Sequence, residues 1–229
     1  MRLKKYDPDK DYFERTFRRW DWVAVSHLEK RAQDALVMLR PLRDMCKDCT
    51  MCRLGMRQPT IRGEQVKDHR VFSNMLPSRV MIIGQNPGYD ECHEDLPFVG
   101  EAGKTFNKAV RAHGVKRNSF YITNTVKCAT SSNEKPALDE SDACEPYLRM
   151  EIRIMRPKLV VTLGAVAFER LCPGQRYSDR RGRISRSDVY GVKVFAIHHP
   201  SPRNLEDEQR KKDFYRQIEL LCGIVKNLD

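Results

Sequence analysis

Four short apolar runs that alternate with helical patterns constrain the fold of this chain more than any other feature of its sequence. The runs are RVMII (79–83), FYIT (120–123), KLVVTL (158–163) and VKVFAI (192–197). Each is almost continuously apolar, as expected of strands that helices cover on both faces. Helical patterns lie between and after them, at about residues 101–113, 139–155, 165–171 and 206–227. Alternating strands and helices indicate a parallel sheet, so we predict a three-layer α/β/α sandwich around a four-stranded parallel sheet.

Outside this alternation, the pattern of apolar residues predicts one more helix and two loops. Residues 12–40 carry apolar side chains at helical spacing, which predicts a helix that ends at Pro41. The polar stretch 130–136 and the arginine-rich stretch 173–188 predict loops.

The charge of the chain favours a polyanionic partner. It has 42 lysines and arginines against 31 aspartates and glutamates, a formal net charge of +11, which suits nucleic acid. Six arginines are concentrated in one stretch with a single acid, Asp179: Arg170, Arg176, Arg180, Arg181, Arg183 and Arg186. The guanidinium fork matches phosphate oxygens; a solvated loop is the alternative interpretation.

Composition also limits the compartment and the state of the cysteines. No stretch approaches the about 20 apolar residues of a membrane span, and the charged N-terminus lacks the apolar segment of a secretory signal. We therefore expect a cytosolic protein, in which the eight cysteines do not form disulfides. Cys92, Cys172 and Cys222 are isolated in the sequence and are predicted to be buried, inert thiols.

Polar side chains follow three of the four predicted strands, where the chemistry of parallel sheets gathers. GQNPG (84–88) leaves the first strand in a sharp turn that presents the amide of Asn86, and Asn124 follows the second strand. His199 follows the fourth strand and could donate to an oxygen that gains negative charge. Each also has a plainer interpretation, as a helix cap, a loop tie or a histidine bonded to backbone, and His198 is expected to be structural.

Four segments, taken together, resemble one enzyme family. GQNPGYDECHEDLPFVGEAG (84–103), YITNTVKC (121–128), IMRPKLVVTLGAVA (154–167) and HHPSPRN (198–204) are similar, in this order, to motifs of the family 4, iron–sulfur uracil-DNA glycosylases. The resemblance runs from about Cys46 to Asn204, whereas residues 1–44 resemble nothing known to us. The helical pattern at 12–40 and the extent of the resemblance together predict an N-terminal helical extension, residues 1–44, and a catalytic domain, residues 45–229.

The resemblance also assigns the remaining cysteines. It implies that Cys49, Cys52, Cys128 and Cys144 bind a [4Fe–4S] cluster, with Cys46 as an alternative to either of the first two. Four thiolates also suit a tetrahedral zinc ion, and spacing alone does not decide. The cluster is expected to brace loops that touch DNA and to take no part in bond cleavage.

Two departures from the family bear on the substrate. Gln85-Asn86 replaces the family's usual Glu-Ala or Glu-Gly. In this position the chain resembles other branches of the superfamily, in which an asparagine positions the attacking water. Gly88 stands where the most uracil-restricted branch has a tyrosine that blocks the C5 position of the base. Asp90 or Glu91 could serve as an auxiliary acid, since the family has a carboxylate in this segment.

These inferences define a site and a function. We expect Asn86 and His199 to be catalytic with Glu91 and Asp90 as helpers, and a base pocket that contains Gly84, Gln85, Gly88, Phe98, Asn124 and Ser201. Phe98 would stack on the base, Asn124 would read its Watson–Crick edge, and DNA phosphates would bind Arg180, Arg181, Arg183 and Arg203.

The predicted reaction is hydrolysis of the N-glycosidic bond of a pyrimidine flipped out of DNA, uracil or a C5-modified base, by a monomeric enzyme that leaves an abasic site. Two alternatives stay open. One is a glycosylase specific for hypermodified phage bases that acts in antiviral defence, and the other is a non-catalytic iron–sulfur module that binds nucleic acid.

Overall fold

A five-stranded sheet forms the centre of the structure, a computed structural model that describes residues 26–228, with side chains from residue 30 onward. The strands of the sheet lie in the order β4-β3-β5-β7-β6. Four of them are parallel, and β6 is antiparallel to β7. These strands are β3 (Val80–Gly84), β4 (Tyr121–Asn124), β5 (Leu159–Leu163), β6 (Ile184–Ser187) and β7 (Val192–Ile197), and a separate hairpin consists of β1 (Thr60–Ile61) and β2 (Glu64–Gln65).

Helices connect the strands and cover both faces of the sheet. In the described part of the chain they are α1 (Ser26–Lys47), α2 (Arg53–Met56), α3 (Tyr89–Glu94), α4 (Glu101–Ala112), α5 (Leu138–Met155), α6 (Ala165–Leu171), α7 (Tyr177–Arg180), α8 (Pro202–Leu205) and α9 (Glu208–Lys226). Two 3₁₀ turns are found at Arg117–Ser119 and Ser131–Asn133. None of the described helices is long and apolar enough to cross a membrane.

The apolar core is divided by the sheet into two layers. Because side chains alternate across a strand, Met81 and Ile83 of β3 pack on one face, with side chains of α5 and α6. Ile82 packs on the other face, with Phe106 of α4 and Phe214 of α9. The predicted three-layer α/β/α sandwich is therefore confirmed.

The stretch 173–188 is not the loop that its arginines suggested, since it contains the helix α7 and the fifth strand β6. Along β6, residues alternate between exposed and buried, and Ile184 at its start is half exposed. An edge strand with one apolar residue has no apolar run to reveal it in the sequence. Its stability comes instead from the backbone ladder with β7, which Gly182 begins by donating to the Ala196 carbonyl at 2.7 Å.

Pro41 does not end the first helix, contrary to the sequence-based expectation. Residues 12–25 of the predicted helix lie outside the described residues, and the described helix runs from Ser26 through Pro41 to Lys47. Pro41 is exposed and removes one backbone hydrogen bond there. The helix crosses the boundary that we predicted at residue 44, and the division into 1–44 and 45–229 remains a prediction.

Candidate active site

The carboxyl ends of β3, β4, β5 and β7 meet at one edge of the sheet, as the sequence predicted. Gly84 and Asn124 are paired across β3 and β4, and the chain after β4 stays beside the turn after β3, with Thr125 N–H donating to the Gly84 carbonyl at 2.9 Å. Gly164 N–H donates to the Ile197 carbonyl at 2.9 Å, which joins the ends of β5 and β7. We call this the active edge.

Gly84, Phe98 and Asn124 enclose a small space at the active edge. A Cβ added at Gly84 would collide with the Phe98 ring and with Oδ1 of Asn124, so only glycine fits this position. Asn124 is buried, and its Oδ1 has no hydrogen-bond partner among the described residues. Because a buried acceptor without a donor is costly, this oxygen is suited to accept a hydrogen bond from a ligand.

Phe98 is held through its backbone by contacts that the sequence did not reveal. Its backbone has a φ of 54°, which is strained for a bulky residue. Arg117 donates to the Phe98 carbonyl at 2.9 Å and also to the Pro97 carbonyl. A Cβ at Gly103 would overlap the Phe98 carbonyl. Arg117 follows α4 in the chain and carries no local motif, so only the folded structure identifies its role.

His199 lies opposite Phe98, with 6.3 Å between the two ring centroids. Its Nδ1 accepts from the Ser201 backbone N–H at 3.2 Å, and Asn204 holds its carbonyl at 2.8 Å. Burial lowers the pKa of His199 to about 4, although part of the residue surface remains exposed. The ring is therefore neutral at pH 7, with its Nε2–H available to a ligand. Asn204 was missed by the sequence reasoning.

Asn86 is held by the loop that follows β4. Gln85 donates to its Oδ1 at 2.7 Å, and its Nδ2 lies 3.3 Å from both Thr130 Oγ1 and Asn133 Oδ1. The same Nδ2 donates to the Pro87 carbonyl at 3.0 Å. The amide is thus oriented by residues about 45 positions away in the chain, and Thr130 and Asn133 were not predicted.

The two candidate acids have different environments. Glu91 accepts from three backbone N–H groups, those of Val99 at 2.9 Å, Gly100 at 2.8 Å and Gly88 at 3.1 Å. It therefore joins the turn after β3 to the segment that carries Phe98. Asp90 is partly exposed and lies 3.3 Å from Arg62.

Gly88 allows Glu91 to approach the backbone. A Cβ at Gly88 would lie 2.8 Å from Glu91 Oε2, too close for ordinary contact. The space that we expected Gly88 to leave free for a C5 substituent is therefore bordered by the Glu91 carboxylate. Ser201 caps the short helix α8 and contributes its backbone N–H to His199.

Five cysteines approach one another on the α5 side of the sheet, and we call them the cysteine site: Cys46, Cys49, Cys52, Cys128 and Cys144. Burial, with a smaller contribution from nearby thiols, raises the pKa of Cys128 to about 12 and that of Cys144 to about 11. Burial also raises the pKa of Cys46, and the charge of Lys127 opposes this effect. The sulfurs lie close enough to influence one another electrostatically.

Backbone contacts shape the loop of the cysteine site. Cys49 N–H donates to the Cys46 carbonyl at 3.2 Å, and Arg70 donates to the Cys49 carbonyl at 3.0 Å. A Cβ at Gly55 would collide with that same carbonyl. The Sγ of Cys144 accepts from the Lys127 backbone N–H at 3.2 Å. Among residues 30–228, no three Cys, His, Asp or Glu side chains are close enough to hold a single metal ion.

The three remaining cysteines are buried, as predicted. Burial raises the pKa of Cys92 to about 12 and that of Cys172 to about 11, and it also raises the pKa of Cys222. Thiols of this kind are unreactive at neutral pH.

The predicted DNA-binding arginines are exposed. Arg181 and Arg183 flank Gly182 beside the end of β7 and line a cavity of about 240 Å³, together with Asp213, Gln217 and Arg216 of α9. Gln217 accepts from the His198 backbone N–H at 2.8 Å, which places the cavity beside the active edge.

The remaining arginines show how the basic stretch is divided. Arg180 ends α7, and Arg203 lies in α8 after His199. Arg170 is bound by Asp142 and Glu145, at 2.6 Å each, and does not belong to the free basic surface. Arg216 was not predicted, because it lies outside the arginine-rich stretch, on the mixed-charge helix α9.

Comparison with known proteins identifies the family. The profile described as Uracil DNA glycosylase superfamily matches residues 72–220. The chain belongs to the uracil DNA glycosylase superfamily. It is 31% identical to the Type-4 uracil-DNA glycosylase of Thermotoga maritima over 76% of this chain and 88% of that protein. The Type-4 enzyme of Sulfurisphaera tokodaii is 34% identical over 80% and 84% of the two chains.

A second type of this superfamily is also similar. The Type-5 uracil-DNA glycosylase of Pyrobaculum aerophilum is 35% identical over 57% of this chain and 64% of that protein. Membership of the superfamily confirms the predicted resemblance, the fold and the enzyme class, a DNA N-glycosylase.

Proposed function

We propose that this superfamily member removes uracil from DNA by hydrolysing its N-glycosidic bond, with the base flipped out of the helix into the space between Phe98 and Asn124. The observation that carries the proposal is the buried, unpartnered Oδ1 of Asn124 beside Gly84. Flipping is required because the bond cannot be reached within a duplex. The names of the Type-4 and Type-5 relatives support uracil as the base.

Asn124 is suited to read uracil and reject cytosine. Its Oδ1 can accept from the N3–H of uracil while its Nδ2 donates to O4. With the amide in this orientation neither hydrogen bond could form to cytosine, which has an acceptor at N3 and a donor at C4. A site built to make buried hydrogen bonds strongly rejects a base that leaves them unpaired. The Phe98 ring would stack on the bound base.

His199 would stabilise the leaving base. Departure of uracil places negative charge on O2, and a neutral imidazole can donate its Nε2–H to that oxygen. The lowered pKa of His199 keeps the ring neutral, and the Ser201 N–H on Nδ1 fixes its orientation. Backbone N–H groups around Gln85 would assist.

Asn86 would hold the attacking water. Its contacts with Gln85, Thr130 and Asn133 fix the amide in advance, which lowers the cost of orienting a water molecule. Glu91 would act mainly by holding the turn after β3 against the segment of Phe98, and Asp90 would act through its contact with Arg62.

A [4Fe–4S] cluster would be held by Cys49, Cys52, Cys128 and Cys144. The residues fit such a group because Cys128 and Cys144 are buried and lie close enough to Cys49 and Cys52, which share one loop, for the thiols to influence one another. A zinc ion stays the alternative occupant, since four thiolates also suit tetrahedral coordination. When bound, the cluster would supply structural bracing, and Cys46 would stay a buried neighbour.

DNA would lie across the active edge and contact the arginines beside it. Arg181, Arg183 and Arg216 line one cavity and can bind phosphate oxygens through their guanidinium groups. Arg180 would extend this surface, and Arg203, close after His199, would contact the backbone near the flipped nucleotide.

A single-turnover assay on defined DNAs tests the proposal. Oligonucleotides would carry uracil, thymine, cytosine or bulky 5-substituted cytosines, and abasic sites would be detected by alkaline cleavage. We expect rapid excision of uracil, and a loss of about 10²–10³-fold in Asn86→Ala or His199→Ala with DNA affinity retained. Excision of the 5-substituted cytosines instead would favour the defence enzyme, and no excision at all would favour the binding module.

A further inference from the structure

A lysine and a glutamate lie buried between the cysteine site and the base pocket. Lys127 is 1% exposed and Glu151 is fully buried, and the two form an ion pair. Lys127 lies between Asn124 and Cys128 in the chain, and Glu151 belongs to α5, the helix that carries Cys144. The reaction described above uses neither charge.

All three protons of the Lys127 ammonium have acceptors. One is the Glu151 carboxylate, the second is Thr123 Oγ1 at 2.6 Å, and the third is the Asn124 carbonyl at 2.7 Å. The other oxygen of Glu151 accepts from the Tyr121 hydroxyl at 2.8 Å. The lysine head is therefore fixed in direction, and one of its bonds ends on the residue whose side chain faces the base.

The backbone of Lys127 is fixed on both sides as well. Its N–H donates to Cys144 Sγ at 3.2 Å, and its carbonyl accepts from Val71 N–H at 2.8 Å. One residue of the segment 124–128 thus contacts both Asn124 and Cys144.

An apolar side chain would fill this position at a lower desolvation cost, since buried ion pairs are often no more stable than well-packed hydrophobic substitutes. A charge retained here is explained if it does something that packing cannot do. The carbonyl of Asn124 ends β4, where the ladder with β3 stops at Gly84, so a strong donor is useful at that point.

We propose that Lys127 is a positioning residue: its ammonium, neutralised by Glu151, holds the Asn124 backbone and so fixes the amide that discriminates the base, while its N–H ties the same segment to Cys144. This inference rests on the proposed function for the part that concerns the base. It gives the cysteine site a route of influence on base selection that needs no redox chemistry.

The test removes both charges together. Lys127→Met with Glu151→Gln leaves no unpaired charge and keeps an acceptor for the Tyr121 hydroxyl. Tyr121→Phe is the matched control, because it removes a hydrogen bond from the same buried network and leaves the contact between Lys127 and Asn124 in place. Melting temperature and iron content are measured for both.

The double variant is expected to excise uracil about 10²-fold more slowly, the scale of a small misplacement, and to show a lower ratio of uracil to cytosine excision. Tyr121→Phe should keep the wild-type rate and ratio. If Lys127 acts through Asn124, adding Asn124→Ala to the double variant should cost no more than Asn124→Ala alone. Losses that multiply, or equal losses in Tyr121→Phe, overturn the proposal.

A crystal structure of the double variant gives a readout independent of activity. We expect the Asn124 amide to turn away from Gly84, whereas an unmoved amide overturns the proposal whatever base the wild type excises. A wild type that excises nothing overturns the proposed function instead, and the position of Asn124 still decides the role of Lys127. If the pair does not fold, Lys127→Met, Glu151→Leu and Tyr121→Phe combined serve for the same comparison.

Discussion

At the scale of a single residue, the environment of His199 predicts how the rate of excision depends on pH. Burial lowers its pKa to about 4, so the ring stays neutral from alkaline pH down to about pH 5. Below that it gains a proton on Nδ1 and loses the hydrogen bond from Ser201. The single-turnover rate should therefore be flat through pH 6.5, the ordinary pKa of histidine, and should fall only as the pH approaches 4.

His199→Gln is the control for this profile. It should be slower at every pH and should lack the fall near pH 4. A wild-type inflection between pH 6 and 7 that disappears in His199→Gln would show that the histidine acts as a cation, contrary to the mechanism proposed here.

The side chains of the site were predictable from sequence only where the fold itself determines their place. Asn124 and His199 each follow a buried strand, and the ends of parallel strands must meet at one edge. Arg117, Thr130 and Asn204 act through contacts with segments that no local pattern connects to them. Such contacts depend on how loops pack, and the sequence carries no periodic signal for them.

At the scale of elements, the difference between β5 and β6 shows which strands a sequence reveals. β5 is buried along its whole length and reads as LVVTL. β6 alternates between exposed and buried with serines as the buried residues, so its apolar signal is absent and its arginines suggest a loop. The helix α1 shows the opposite error. Pro41 predicts the end of a helix, but the helix continues past it and loses only one backbone hydrogen bond.

The cavity between α9 and the segment before β6 is predicted to bind phosphate. Arg216→Glu should weaken binding to DNA of any sequence and reduce the salt dependence of the binding constant by about one counterion for each phosphate that the protein no longer neutralises. The reason is that Arg216 lines the same cavity as Arg181 and Arg183. The measurement is the binding constant of a duplex without a target base at several salt concentrations.

Arg153→Glu is the matched control for charge. Arg153 is exposed near the end of α5, which leads to the start of β5 and hence to the edge of the sheet opposite the active edge. Its reversal changes the net charge by the same amount and should leave the salt slope unaltered. Equal effects of the two substitutions would mean that DNA responds to net charge and that the cavity is not a binding site.

At the scale of the whole molecule, the layers followed from the sequence but the strand order did not. Continuous apolar runs separated by helical patterns are enough to predict a covered parallel sheet. The order β4-β3-β5-β7 depends on which helix passes over which face, and runs of similar composition do not determine it.

The cysteine site predicts how metal and folding are coupled across the molecule. The four proposed ligands come from the loop before α2, the segment after β4 and the helix α5, so one bound group would join three parts of the chain. Buried thiols with raised pKa values become thiolates only at a cost that a metal offsets.

Cys144→Ser should therefore lose iron and visible absorption, and its melting temperature should fall by about 2–4 °C for each kcal/mol of stability lost. Cys172→Ser, also at a buried position but outside the site, should keep the iron and lose less stability. Stoichiometric zinc without iron in the wild type would contradict the assignment of the cluster, and full iron content in Cys144→Ser would exclude this cysteine as a ligand.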